Sequence, residues 1–143
     1  LKSAMAPDMK ADRGLQTFTY AVYPWIGSFA DSPVVIEGYR LNAPVLTVPG
    51  TAEDASLFSV SRPNIVLETV KPAEDGSSDV IVRLYESKRT ATACTLETSL
   101  PVAAAVETDM LETSVVGDLV FDDGAVDLVF RPFEIKTVRL TLA

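Results

Sequence analysis

Among the side chains that attack, relay protons or ligate metals, this sequence carries no histidine, one cysteine (Cys94), and twenty Asp and Glu in 143 residues. Without imidazole, no Ser-His-Asp triad, no Cys-His pair, no histidine-bearing zinc site and no zinc finger can be assembled. Carboxylate chemistry remains. Two carboxyl groups facing each other across a substrate, about 5 to 5.5 Å apart or further, can carry out glycoside hydrolysis, and clustered carboxylates can hold magnesium or calcium. The acids are not spaced for either role. Glu68, Glu86, Glu97, Glu107, Glu112 and Glu134 mostly alternate with apolar residues, the pattern of the wet face of a sheet. Asp122-Asp123 and Glu74-Asp75 sit beside glycines, where hairpin reversal explains them better than metal binding. No catalytic residue, metal ligand or cofactor is therefore assigned within the chain.

Other chemistries find little support. The seven glycines fall singly at turns, so no phosphate-cradling loop is present. Tyr20, Tyr23, Trp25, Phe29 and Tyr39 form an aromatic-rich stretch. Flat rings exposed on a sheet can stack on sugar faces, but core packing is expected for most of these, with Trp25 after Pro24 at a surface or domain seam.

The elements that must position these residues are short β-branched and aromatic runs divided by polar punctuation, the signature of an antiparallel sandwich or barrel. Gln16 to Tyr23 reads as a strand, with Phe18, Tyr20 and Val22 on one face and Thr17, Thr19 and Ala21 on the other. Asp31-Ser32-Pro33 is a helix-start signal in which Asp or Ser caps orphan N–H groups, predicting a short helix over Val34 to Leu41 that ends at Asn42-Ala43-Pro44. Strands follow at Leu57 to Ser61, Asn64 to Lys71, Asp79 to Glu86, Thr90 to Thr98, Pro101 to Met110, Asp118 to Phe121, Ala125 to Phe130 and Phe133 to Leu142. Asp75-Gly76 and Asp123-Gly124 mark hairpins, since both positions suit residues that tolerate positive φ. In the last strand Phe133 and Ile135 are odd-numbered, whereas Val138, Leu140 and Leu142 are even-numbered. A bulge near Lys136-Thr137, or a strand covered on both faces, is expected. The fold class is all-β: an antiparallel β-sandwich of about eight or nine strands, with one short helix near 33–41.

The chain is long enough for one domain with a proper core, nearly half of it apolar. A formal charge of −8, with twelve scattered Lys and Arg, argues against nucleic acid and for a solvated acidic surface. No run of about 18 apolar residues exists to cross a membrane. A lone cysteine excludes an internal disulfide, and a cytoplasmic location is expected. Leu1-Lys2-Ser3-Ala4-Met5 is neither a start methionine nor a signal peptide, and reads as a cut inside a longer chain. On that reading, residues 1–48 are the end of a larger preceding β-domain and 57–143 a terminal β-sandwich.

Several short motifs occur in an order that resembles glycoside hydrolase family 38. Pro7-Asp8, Asp12-Arg13-Gly14 and Phe18-Thr19-Tyr20-Ala21-Val22-Tyr23-Pro24 come first. Tyr39-Arg40-Leu41-Asn42-Ala43-Pro44, Asn64-Ile65-Val66-Leu67 with Val70-Lys71, and Val82-Arg83-Leu84-Tyr85-Glu86 follow. Met110-Leu111-Glu112 and Arg131-Pro132-Phe133-Glu134-Ile135-Lys136-Thr137 complete the series, so the resemblance spans nearly the whole chain. It implies the C-terminal β-sandwich region of an α-mannosidase, a retaining, zinc-dependent parent enzyme whose catalytic aspartate and zinc ligands lie upstream. The partners implied are the rest of its own polypeptide and, for the parent, an α-mannoside. Tyr23, Trp25 and Asp12 are the candidates for an active-site rim. The family pattern places histidine near Gln16 and after Pro24, where this sequence has Trp25, so pocket detail departs from the family there. The rival readings are a stand-alone carbohydrate-binding module, with Tyr23 and Trp25 stacking on sugar, and an Ig-like interaction module. Apolar surface normally covered by the rest of the protein is expected to make the isolated chain self-associate.

Overall fold

Apolar residues recurring at every second position can leave water only if the sheet that carries them is covered by another layer, here a second sheet. In the computed structural model, which describes residues 14–43, 45–51 and 55–143, that is how the chain from residue 58 onward is arranged. Nine strands form it: β1 (Phe58–Val60), β2 (Ile65–Pro72), β3 (Val80–Glu86), β4 (Thr92–Thr98), β5 (Val102–Thr108), β6 (Val115–Leu119), β7 (Phe121–Asp122), β8 (Ala125–Phe130) and β9 (Ile135–Leu142). One sheet has the order β1-β4-β8-β7 and the other β2-β3-β9-β5-β6. Every pairing is antiparallel. The inner faces meet in a core built around Leu84, Leu96, Val126, Phe130, Val138 and Leu140, each at most 1% exposed. The outer face of the four-stranded sheet is wet, with Ser59 donating to Glu97 and Thr95 to Asp127 across neighbouring strands.

Several expectations are corrected. The run read as one strand from Asp118 to Phe121 is divided at Val120 between β6 and β7, which belong to different sheets, so the chain changes sheets there. No register shift falls at Lys136-Thr137. β9 runs regularly beside β3, with Val138 and Leu140 in the core and Ile135 turned outward and half-exposed. The register shifts lie elsewhere in the sheet, between Leu67 and Thr69 in β2 and, in β5, between Val102 and Ala104 and between Glu107 and Thr108. β9 is central, paired on both sides, and a bulge there would break two ladders at once. Asp123-Gly124 makes the tight β7–β8 reversal, with φ of 44° and 79° at the two residues. Asp75-Gly76 instead lies within a longer loop spanning 73–79 between β2 and β3.

Upstream of the sandwich, a short 3-10 helix (Phe29–Asp31) leads into helix α1 (Val34–Asn42). The expected capping by Asp31 or Ser32 does not occur. Pro33 occupies the N-cap position without a side-chain cap, and the Ser32 hydroxyl turns back to donate to Phe29 O at 2.8 Å. No strand forms over Gln16 to Tyr23: the pattern is present but the described residues supply no ladder partner, and residues 15–25 hold no secondary structure. The expectation that most of the aromatic stretch packs in the core fails for the same reason. Tyr20, Tyr23, Trp25 and Phe29 are exposed and Tyr39 is half-buried.

Candidate functional site

The family-like motifs converge in space on two carboxylates. Glu86 ends β3 on the core-facing side and is fully buried, against the expectation that it lies on a wet face. A buried carboxylate survives only if donors replace its lost water. Glu86 Oε1 accepts from Asn64 Nδ2 at 3.0 Å and from the Lys88 backbone N–H at 2.7 Å, and Oε2 accepts from the Phe133 N–H at 3.0 Å. Burial is the largest single influence on its pKa and acts upward. The N–H donors of Phe133, Asn64, Lys88 and Thr90 outweigh it and hold the carboxyl below the ordinary value. Asn64, Glu86 and Phe133 come from three separate motifs, and the Phe133 backbone so held has a φ of 59° that a bulky residue rarely adopts. The sequence signal was present in those motifs, but alternation alone made Glu86 look like a surface acid.

The second convergence is Glu112. Its Oε1 lies 2.7 Å from Lys71 Nζ and 3.6 Å from Arg83 Nη2, and its Oε2 accepts from the Glu74 N–H at 3.0 Å. Arg83 also donates to Met110 O at 3.0 Å. The Lys71 hydrogen bond, above all, holds the Glu112 carboxyl below its ordinary value. Glu112, at φ 62°, thus ties the 109–114 loop across β2 and β3. Arg139 in β9 plays the corresponding part for the β2–β3 loop, bonding Asp79 and Asp75 at 2.6 Å each.

A third cluster joins the helical segment to the sandwich. Lys88 Nζ donates to Phe29 O at 3.2 Å and to Ser32 O, and lies 4.8 Å from the centre of the Phe29 ring. Tyr39 OH donates to Glu68 and sits 3.2 Å from Tyr85 OH. Between these ties runs a partly open groove of about 520 Å³, lined by Val35, Ile36 and Tyr39 of α1 and by Ile65 and Leu67 of β2.

Tyr23 and Trp25, expected at a substrate rim, are not brought into any of these clusters. Tyr23 and Trp25 are 41% and 43% exposed, and the described residues give neither side chain a hydrogen-bond partner. Gln16 is exposed, and Asp12 lies outside the described residues. The remaining glutamates read as strand residues are each engaged. Glu107 pairs with Lys136 at 2.9 Å, Glu134 with Arg131 at 2.7 Å, Glu97 with Ser59 and Glu68 with Tyr39. Among the described residues, five carboxyl groups have displaced pKa values, Asp75, Glu86, Asp109, Glu112 and Glu134, and all five are lowered. A zinc ion does not fit this donor set. The chain has no histidine, Cys94 is buried with its thiol pushed up by burial, and no group of three or more Cys, Asp or Glu is placed to hold a metal among the described residues.

Comparison with known proteins agrees with this architecture. The chain is 42% identical to mouse Alpha-mannosidase 2C1 and 41% identical to its human counterpart, each across 99% of its own length, and 34% identical to Alpha-mannosidase G of Dictyostelium discoideum across 97%. It spans only 14% of the length of each of these relatives. Residues 64–138, which contain both the Glu86 and the Glu112 clusters, match the C-terminal beta sandwich domain of the family 38 glycosyl hydrolases, and the chain belongs to that family.

Proposed function

We propose that this chain is the non-catalytic C-terminal part of an α-mannosidase. It stabilises the protein, while the retaining, zinc-dependent hydrolysis of α-mannosides is performed by groups upstream of it. The observation that carries this reading is that Glu86 and Glu112, on which the family-like motifs converge, are engaged in hydrogen bonds and an ion pair within the domain, and the shifted carboxyl groups among the described residues all lie below their ordinary values. A glycosidase acid must keep its proton near neutral pH, which requires a raised pKa. A nucleophilic carboxylate must face the sugar, whereas Glu86 and Glu112 face N–H donors and cations of their own domain. Tyr23 and Trp25 are exposed where a neighbouring domain or substrate can reach them, and with Asp12 they are the rim candidates. The absence of a possible internal disulfide supports a cytoplasmic location.

The test is kinetic and uses the full-length enzyme. Glu86→Gln and Glu112→Gln are expected to leave kcat within about twofold while lowering Tm, because each removes a structural acceptor. A catalytic carboxyl replaced in the same way loses at least about 100-fold in kcat. A loss of that size with unchanged Tm would overturn the assignment.

A further inference from the structure

We infer that the corner of the sandwich where the β1–β2 and β3–β4 connections meet binds a dianionic oxyanion, either inorganic phosphate or the phosphate of a small monoester. Among the described residues, Arg40, Lys71, Arg83, Arg131, Lys136 and Arg139 each pair with a carboxylate. Arg62, Lys88 and Arg89 do not, and the fold brings all three to this corner. The two connections are fastened to each other: the Ser87 N–H and hydroxyl both donate to Asn64 O, at 2.8 and 2.9 Å, and Asn64 Nδ2 donates to Thr92 Oγ1 at 2.7 Å. Beside them opens a pocket of about 440 Å³ lined by Arg62, Asn64, Lys88, Thr90 and Thr92. None of its lining residues is acidic, in a chain that carries twenty Asp and Glu.

The positive charge there is not cancelled. Arg62 donates only through Nε, to Ala93 O at 3.3 Å, which leaves its two terminal nitrogens without an acceptor among the described residues. Lys88 Nζ donates to Phe29 O, Ser32 O and Ser32 Oγ, all neutral, so its charge stays at the pocket wall. Arg89 is exposed, has no acceptor among the described residues, and stands at a φ of 60° that a long side chain rarely adopts. The acids of the neighbourhood are already engaged, Glu86 by Asn64, Lys88 N–H and Phe133 N–H, and Asp31 by the Ser28 hydroxyl at 2.6 Å. A guanidinium presents a planar fork that matches phosphate oxygens. A carboxylate ligand would balance one of the three charges, whereas a phosphate monoester balances about two and offers three acceptor oxygens.

The experiment is calorimetric titration of the full-length protein with inorganic phosphate and, separately, with glucose 6-phosphate, at constant ionic strength made up with chloride. Saturable binding is expected with a Kd of about 1 mM or tighter, weakened about tenfold or more in Arg62→Gln and in Arg89→Gln. Arg40→Gln, at an exposed arginine already paired with Glu37, should bind as the parent does. Arg62 and Arg89 are both exposed, and a melting curve without phosphate shows that each variant is folded. Either ranking of the two probes supports the site: equal affinity makes phosphate alone the ligand, and tighter binding of the monoester gives its organic part a place in the pocket. No binding above chloride would overturn the inference, and so would binding that neither substitution weakens, since that ligand sits elsewhere. A DNA oligonucleotide bound more tightly than both probes would overturn it too, by making the partner a phosphodiester chain. Mannosidase turnover is not the readout, so the result stands whichever way the catalytic assignment falls.

Discussion

Glu86 shows why a buried acid need not be a catalytic one. Its oxygens meet only donors, so Glu86→Gln must turn an amide NH2 toward at least one of the N–H groups of Asn64, Lys88 or Phe133. The substitution should cost about 2–4 kcal/mol of unfolding free energy, the penalty of an unpaired buried donor in a broken network, read from denaturant midpoints. The same logic sets the acid limb of stability. Glu86, Glu112 and Glu134 are all held below the ordinary 4.5, so the folded state binds these protons more weakly than the unfolded chain does. Their contribution is fully present above pH 4.5 and is lost as the pH falls from there through the folded-state values. A stability profile flat from pH 8 to 5 and falling below 4.5 is expected. Stability that increased on acidification below 4.5 would contradict the assigned hydrogen bonds.

At the scale of elements, local chemistry was legible wherever it determined the outcome. Asp123-Gly124 announced a two-residue reversal and makes one. Gly124 has a φ of 79°, and a Cβ there would stand 3.1 Å from Thr98 O, whereas one on Gly76, at φ 77°, would meet nothing within 4 Å. Both alanine variants carry the left-handed penalty of about 1 kcal/mol, and Gly124→Ala should cost about 1 kcal/mol more, as measured by thermal unfolding. Equal costs would show that the turn relaxes freely. Other features depended on partners distant in sequence. Alternation located β9 but not its regularity, because the outward Phe133 and Ile135 are tolerated where the strand approaches the Glu86 anchor and not through a bulge at Lys136. Nor could periodicity show that the Asp118 to Phe121 run is shared between two sheets, since that depends on which edges β5 and β8 leave open.

For the whole molecule, the 57–143 sandwich was readable because its hydrophobic pattern is satisfied within itself, ending in a core of fully buried side chains. Upstream, the helix was legible too, whereas the strand expected over Gln16 to Tyr23 does not form because its pattern is satisfied by nothing nearby among the described residues. Leu15, Ile26, Val45 and Leu46 stand almost fully exposed, like the face of Phe18, Tyr20 and Val22. Water tolerates so much contiguous apolar surface poorly, so light scattering of the isolated chain should give a mass above the 15.4 kDa monomer at high concentration. A strict monomer would mean that this surface needs no cover.

The central claim is that this chain builds and braces but does not break bonds. Turnover of an aryl α-mannoside by the purified 143-residue chain, with and without added zinc, tests it most directly. The account predicts a rate equal to the buffer blank under both conditions, beside a full-length enzyme that turns over. Saturable hydrolysis by the isolated chain would contradict it.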